Sequence, residues 1–209
     1  MNLRLRPATL AVCVATLILF SGTAKAYVLL GVTWPQPRMT YVVNPANVDL
    51  DPALVQPALQ AGADAWRLQA GRFVFAFAGF TTQTTNTLDG VNLVVFRNEI
   101  SGSAIATTYS WSSGSRIVEA DIVFWDGGFQ FFTGSAGCAN GYYIEDVAAH
   151  EFGHALGLGH SNVAGATMFP SLSSCNQQAR SLEPDDIAAV SAIYPSTRPS
   201  PPTGLRIIR

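Results

Sequence analysis

The sequence predicts an α+β fold, in which helices pack against one mostly parallel β-sheet. Three observations lead to this prediction. Apolar residues recur at helical spacing over residues 51–70, several segments rich in β-branched and aromatic residues follow, and a second helical segment lies around residue 150. One long helix, then strands, then a further helix is the order expected of a sheet covered by helices.

Five segments have strand character, because β-branched and aromatic residues are frequent in them and turn-forming residues bound them. They are residues 39–43, 73–77, 91–96, 105–111 and 117–125. The first helix, residues 51–70, contains Pro57, which is expected to mark its first turn. A closing helix is predicted over residues 182–194, with Ser181 as its cap. The glycine-rich segment 125–143 is expected to form either a long loop over the cleft or a loosely ordered insertion.

The chain's only three histidines lie within the eleven residues from 150 to 160. His150 and His154 are four residues apart, so a helix presents both imidazoles on one face. Gly157 permits a left-handed turn that redirects His160 toward the same point. Three neutral imidazoles would leave the fourth position of a tetrahedral zinc ion open for water, which is the mark of a catalytic site.

Glu151, beside the first of these histidines, is predicted to be the general base that takes a proton from water. Zinc lowers the pKa of such a water to about 7 and polarises a carbonyl oxygen. Chance spacing is the alternative explanation for the two histidines and the glutamate. The third histidine in register, and the absence of histidine elsewhere in the chain, argue against it.

The full pattern HExxHxxGxxH is the metzincin signature, and metzincins carry a methionine turn beneath the zinc. The segment 166–170 (ATMFP) resembles that turn in the matrixins, and Met168 is its methionine. Ser161 after the third histidine, residues 34–41 (WPQPRMTY) and the closing helix resemble matrixin segments too. The resemblance covers residues 34–195. It implies a twisted, mostly parallel five-stranded sheet packed with a long helix, an active-site helix and a C-terminal helix.

Two features depart from the animal matrixins. Those enzymes hold a second, structural zinc partly with histidines outside the main motif, and this chain has no further histidine. They are also kept latent by a propeptide, whereas only residues 27–33 separate the predicted export signal from the first matrixin-like strand. We therefore expect one catalytic zinc ion and a closer similarity to secreted relatives that lack a propeptide.

The matrixin resemblance also implies how a substrate would bind. In that family an extended peptide adds to the edge strand of the sheet, and residues 105–109 are the candidate edge, with Ile105, Ala106 and Thr107 against the substrate. An ordinary exposed strand is the alternative for this threonine-rich segment. Pro170, Ser171 and Leu172, which follow the methionine turn, are expected to wall the pocket that selects a substrate side chain.

Residues 1–26 are predicted to be a secretory signal, because arginines precede an apolar run over residues 8–20 and residues 24–26 form an A-x-A cleavage pattern. An N-terminal anchor that stays in place is the alternative, although the run is too short to span a bilayer. Residues 27–195 are then a single soluble catalytic domain, secreted to the extracellular or periplasmic space. Residues 196–209 form a proline-rich tail or linker.

Without the signal, nine arginines face fourteen acidic residues, and this net charge near −5 argues against a nucleic-acid partner. We expect a monomer that binds polypeptides. Cys138 and Cys175 are an even pair in an exported chain, so a disulfide between them is the leading interpretation and two free thiols the alternative. Asp121 and Asp126 suggest calcium, but their spacing fits no calcium loop.

These features together predict a secreted zinc endopeptidase in which zinc and Glu151 activate a water molecule. A zinc-binding adhesion or interaction module without turnover is the alternative from another class. Such a module is expected to lose Glu151 first, because this residue does chemistry without holding metal, and Glu151 is present. A zinc hydrolase acting on another amide is a third hypothesis, which a peptide library compared with a panel of small amides would separate from the first.

Overall fold

Five strands form the central sheet in the computed structural model, which describes residues 26–67, 69 and 73–195. They are β1 Arg38–Asn44, β2 Val74–Phe80, β3 Asn92–Phe96, β4 Ala106–Ser113 and β5 Arg116–Phe124. The spatial order is β2-β1-β3-β5-β4. Strands β2, β1, β3 and β5 run parallel, and β4 pairs antiparallel with β5 at one edge. The predicted five-stranded, mostly parallel sheet is confirmed. Residues 1–25 of the predicted signal and the predicted tail 196–209 lie outside the described residues.

Three helices accompany the sheet: α1 Pro52–Arg67, α2 Ile144–Ala155 and α3 Pro184–Ile193. Two short strands, β6 Phe131–Phe132 and β7 Tyr142–Tyr143, pair with each other before α2. Among the described residues no helix is long and apolar enough to cross a bilayer. The α+β class, with a long helix, an active-site helix and a C-terminal helix, is therefore confirmed.

Several predicted boundaries are wrong in detail. Pro57 does not mark the first turn of α1, because Pro52 is its first residue and the Asp51 side chain accepts a hydrogen bond from Ala53 N (2.9 Å) at that end. Helix α3 is not capped by Ser181. Its N-cap is Glu183, in a reciprocal capping box with Asp186.

The segment expected to open the sheet is also shorter than the matrixin resemblance implies. Residues 35–37 form a bend, and the strand begins only at Arg38. The bend is anchored at Trp34, whose backbone N–H donates to the hydroxyl of Tyr194 (3.0 Å) and whose indole N–H donates to Ala155 O (2.7 Å). Two prolines within residues 34–37 fit a bend better than a ladder strand, since proline lacks the N–H that pairing needs.

One face of the sheet is covered by α2, which carries the histidine motif. Phe152 of α2 packs against Tyr41 and Phe75 of the sheet, with ring centroids 5.3 and 4.6 Å apart. On its other side α2 meets α1, where the buried Trp66 donates its indole N–H to Ala149 O (2.7 Å). The helix that carries the site is therefore held between the sheet and a second helix, which limits its movement.

The crossing of α1 and α2 requires a glycine. A Cβ at Gly62 would lie 2.7 Å from the Ala148 Cβ, from Ala149 N and from Glu145 O. Real Cβ atoms do not approach so closely, so the two helices can only keep their separation with glycine at this position.

Gly62→Ala is therefore expected to lower the free energy of unfolding by about 1–3 kcal/mol, because the added methyl group forces the helices apart. At an exposed helical site the same change would raise it by about 1 kcal/mol. Urea unfolding followed by circular dichroism measures the difference, with the exposed neighbour Ala61→Ser as control. A Gly62→Ala variant as stable as the natural chain would contradict the close packing.

Candidate active site

The three histidines are brought together by helix α2 and the turn that follows it. His150 and His154 project from α2, which ends at Ala155. Gly157 then adopts a positive φ of 100°, and a Cβ there would collide with the carbonyl oxygen of Val32, so glycine is required. This turn reverses the chain and carries His160 back to the first two rings, as the sequence predicts.

A short segment near the N-terminus holds this turn in place. Leu30 N donates to Gly157 O (2.9 Å) and Gly159 N donates to Val28 O (2.8 Å), in an antiparallel arrangement. The segment was not singled out from the sequence, because backbone pairing of a few residues leaves no pattern in residue type. It also places the exposed Leu30 on the wall of the cleft.

The imidazole nitrogens converge on one point. His154 Nε2 lies 3.0 Å from His150 Nε2 and 3.2 Å from His160 Nε2. The Nδ1 atoms of His150 and His154 lie 2.7 and 2.8 Å from the carbonyl oxygens of Thr167 and Leu158. A carbonyl only accepts hydrogen bonds, so each Nδ1 carries the proton and each Nε2 presents a lone pair. Lone pairs that face one another at this distance repel unless a cation lies between them.

Zinc fits this arrangement. Tetrahedral zinc with nitrogen ligands at about 2.0–2.1 Å places those nitrogens about 3.3 Å apart, close to the observed spacing. Within the described ranges, these three histidines are the one group of three or more histidine, cysteine, aspartate or glutamate side chains whose ligand atoms lie within 4.8 Å of one another. Burial lowers the pKa of both His150 and His154 to about 4, so both are neutral and able to bind metal at pH 7.

Glu151 lies beside the histidines and is almost fully buried, with 5% of its surface exposed. Burial raises the pKa of its carboxyl group, and the nearby His154 and the hydroxyl of Thr108 act in the opposite direction. Thr108 Oγ1 donates to Glu151 Oε2 at 2.6 Å. Thr107 was predicted to contact the substrate and Thr108 was not, although alternation along a strand puts Ala106 and Thr108 on the same face.

Met168 lies beneath the motif helix. Its sulfur packs so closely on Gly153 that a Cβ at that glycine would collide with it, and the Trp66 ring would be 2.7 Å away. The turn itself is held by the buried Asp186 of α3, whose Oδ1 accepts from Met168 N (3.0 Å) and whose Oδ2 accepts from Thr167 N (2.8 Å). Because the carbonyl of Thr167 contacts the ring of His150, Asp186 indirectly positions this candidate metal ligand.

A cleft of about 710 Å³ opens in front of the histidines and Glu151. All six residues predicted to contact substrate line it, namely Ile105, Ala106, Thr107, Pro170, Ser171 and Leu172. The segment 125–143 contributes only Tyr142 to the lining, so the prediction of a long loop over the cleft is wrong. Phe131 of that segment is buried against Phe124 and Phe96, which draws the loop to the core and away from the opening.

Cys138 and Cys175 form a disulfide, with their Cα atoms 5.6 Å apart, as the leading interpretation of the sequence predicts. It joins the loop before α2 to the loop after the methionine turn. Arg180 connects the same regions: its Nε donates to Asp146 Oδ2 (2.7 Å) and its Nη1 to Gly134 O (2.8 Å). The two loops that flank the far end of the cleft are therefore tied to each other and to α2.

The two aspartates considered for calcium lie apart from the histidines. Asp121 Oδ1 accepts from Leu93 N (2.8 Å) while its Oδ2 is buried without a partner, and Asp126 Oδ2 accepts from Val48 N (3.0 Å). In the part of the chain that the structure describes, neither belongs to a group of three close metal-binding side chains. Burial, with the neighbouring charge of Glu119, raises the pKa of Asp121 to about 7.

Two adjacent aspartates of α3, Asp185 and Asp186, are expected to differ in how much they contribute to stability. Asp186→Asn places an N–H₂ group against backbone N–H donors, so the free energy of unfolding should fall by about 2–3 kcal/mol. Asp185→Asn is the matched control, because among the described residues Asp185 accepts a hydrogen bond from the Ser161 hydroxyl (2.7 Å), and the amide oxygen of asparagine can replace that acceptor. Thermal unfolding of both variants measures the difference, and equal losses would contradict the role of Asp186.

Asp121 predicts a pH effect on stability. A pKa raised on folding means that the folded chain keeps a proton that the unfolded chain releases, so this residue's contribution to stability falls as pH rises from about 4 to 7. Asp121→Asn removes that term, and its stability relative to the natural chain should rise between pH 5 and pH 8. Urea unfolding at both values tests this, with the half-exposed Asp64→Asn as control. An unchanged difference across that range would contradict the raised pKa.

Three converging imidazoles, a buried glutamate and an open cleft on an α+β scaffold are the features of a metzincin-type site. The matrixin family model matches residues 33–195, so the chain belongs to the matrixin family, as the sequence resemblance implied.

Matrix metalloproteinases are among the proteins similar to this chain. Matrix metalloproteinase-27 of Tupaia belangeri is 48% identical over 69 residues, which are 32% of this chain and 14% of that protein. Human neutrophil collagenase is 48% identical over 64 residues, which are 30% of this chain and 14% of that protein. Human matrix metalloproteinase-19 is 28% identical over 192 residues, covering 86% of this chain and 34% of its own length. The chain thus spans about a third or less of these relatives.

Proposed function

We propose that this chain is a secreted endopeptidase that hydrolyses peptide bonds in proteins, with Glu151 as the general base. The observation that carries the proposal is the position of Glu151, a buried carboxylate on the wall of an open cleft and next to three converging imidazoles. His150, His154 and His160 would hold one zinc ion through their Nε2 atoms. When bound there, zinc supplies Lewis acidity, lowering the pKa of water and polarising a carbonyl group.

Glu151 would take a proton from the attacking water and later give it to the leaving amine. A general base is most effective when its pKa lies near the working pH, and burial raises the pKa of Glu151 in that direction. The neutral rings of His150 and His154 suit this division of roles, because they bind metal without competing for the proton. The chain thus separates metal binding from proton transfer.

The free edge of the sheet would align the substrate. Trp125 N donates to Ile105 O (3.1 Å), so Ile105 has its backbone groups directed toward β5. Since bonded and non-bonded pairs alternate in an antiparallel ladder, Ala106 and Thr108 direct theirs toward the open edge. An extended polypeptide would add there as a further strand, across the metal-binding histidines.

The pocket wall after the methionine turn would receive a substrate side chain. Pro170, Ser171 and Leu172 line the cleft opposite β4. The disulfide between Cys138 and Cys175 would keep this wall in place outside the cell, where disulfides persist. We further propose that residues 1–26 direct export, that residues 27–195 are the catalytic domain, and that the protein acts as a monomer on polypeptides.

A paired comparison of two variants tests the proposed function. Glu151→Ala should keep one zinc ion per chain and lose at least about 100-fold in kcat, because the general base is removed while the metal ligands remain. His154→Ala should lose both zinc and cleavage. Mass spectrometry measures zinc, and cleavage of casein and of a peptide library measures activity.

The exposed Glu99→Ala is the control for the loss of a carboxylate and should behave as the natural chain. Undiminished cleavage by Glu151→Ala would refute the general-base role. One zinc ion in the natural chain, with no cleavage of casein or of any library peptide, would instead support a zinc-binding interaction module.

A further inference from the structure

We propose that Thr108 is a positioning residue for Glu151, so that the strand that aligns the substrate also orients the general base. The inference rests on the proposed function and adds a residue to it. Thr108 belongs to β4 at the edge of the sheet, whereas Glu151 belongs to α2, 43 residues later in the chain. One hydroxyl group therefore joins the two parts of the site.

The contact has the geometry of a strong hydrogen bond. Thr108 Oγ1 lies 2.6 Å from Glu151 Oε2 and 3.0 Å from the backbone oxygen of Glu151. A hydroxyl carries one hydrogen, and the shorter distance is typical of a hydroxyl that donates to a carboxylate. Because the carboxylate is almost fully buried, a fixed donor replaces the water that would otherwise solvate it.

The neighbouring threonine cannot take over this function. Thr107 points to the opposite face of β4, where its Oγ1 accepts a hydrogen bond from the indole N–H of Trp125 (3.0 Å). Alternation along the strand leaves Thr108 as the β4 hydroxyl that reaches Glu151. Among the described residues, the side chain that donates a hydrogen bond to Glu151 Oε2 is that of Thr108.

This contact assigns different tasks to the two carboxylate oxygens. Oε2 is engaged by the Thr108 hydroxyl, so Oε1 is the oxygen that accepts the proton from water and later releases it to the leaving amine. Holding Oε2 also prevents the carboxylate from rotating, so Oε1 keeps its direction during turnover. The backbone of Thr108 faces the open edge, so a bound peptide would in addition restrain the residue that orients the base.

Because the hydrogen bond to Glu151 Oε2 comes from the side-chain hydroxyl of Thr108, loss of that hydroxyl should alter kcat and leave KM nearly unchanged. Thr108→Val keeps the shape and the backbone of the strand but lacks the donor, and we expect kcat to fall by about 10- to 100-fold. Thr108→Ser restores a donor and should return kcat to within about 3-fold of the natural chain. Thr40→Val, on an exposed position of β1, is the control and should change neither parameter.

A second measurement tests the contact without relying on activity. In metal-free protein, Thr108→Val should reduce the free energy of unfolding more in the natural chain than in the Glu151→Ala background, because only the former contains the carboxylate acceptor. Zinc content of each single variant at position 108, measured after reloading, should equal that of the natural chain. A fall in zinc content would mean that Thr108 acts on the metal ligands instead of Glu151, and would overturn the proposal.

Three further results would refute the proposal, and each is separable from failure of the proposed function. Equal effects of Thr108→Val in both backgrounds would show that the hydroxyl and the carboxylate do not interact. A kcat within 2-fold of the natural value, or a Ser variant as slow as Val, would show that the hydroxyl does not support turnover. Absence of cleavage by the natural chain would refute the proposed function itself, and the unfolding comparison would still test the contact.

Discussion

Two backbone carbonyl groups determine the arrangement of the site. The carbonyl oxygens of Thr167 and Leu158 accept hydrogen bonds from the Nδ1 atoms of His150 and His154. Both rings must therefore present their Nε2 lone pairs to a common point. The lone pairs are compatible with one another only when a cation lies between them. Every element that sets the position of these two carbonyls is therefore part of the site, although it does not contact the metal that the histidines would hold.

The positions of these two carbonyl groups depend in turn on several distant parts of the fold. Leu158 follows the glycine turn at Gly157, which is paired with the N-terminal segment. Thr167 belongs to the methionine turn, which Asp186 of the last helix holds by two backbone hydrogen bonds. The sheet contributes Thr108, which contacts Glu151, the proposed general base, directly. The site is thus assembled from one helix and from three surrounding segments that converge on it.

The sequence predicted the elements with strong local patterns. The five strands of the main sheet follow segments rich in β-branched and aromatic residues, and the first helix follows the helical spacing of apolar residues. The histidine spacing specifies both the active-site helix and the turn after it. Their boundaries and caps were less predictable, because competing residues occur side by side. Pro52 and Pro57 both suit a first turn. By residue type Ser181 is a better N-cap than Glu183, but the helix begins at Pro184, and the reciprocal capping box with Asp186 places the cap at Glu183.

The contacts that the sequence could not indicate are those between distant segments. Thr108 and Glu151 belong to different elements, and only the antiparallel pairing of β4 with β5 brings that threonine over the motif helix. By its position in the sequence, Asp186 is an ordinary aspartate in the first turn of a helix. Its hydrogen bond to the methionine turn is evident only from the structure. Residue type and spacing predict which side chains do chemistry, whereas their orientation depends on contacts that only the fold creates.

X-ray absorption spectroscopy at the zinc edge is the most direct test of the central claim, that three Nε2 atoms of this chain hold one catalytic zinc ion. Protein loaded with one equivalent of zinc should show three imidazole nitrogens and one oxygen ligand at about 2.0–2.1 Å, with no sulfur. A spectrum with fewer than three imidazoles, or with sulfur at about 2.3 Å, would contradict the arrangement deduced from the structure.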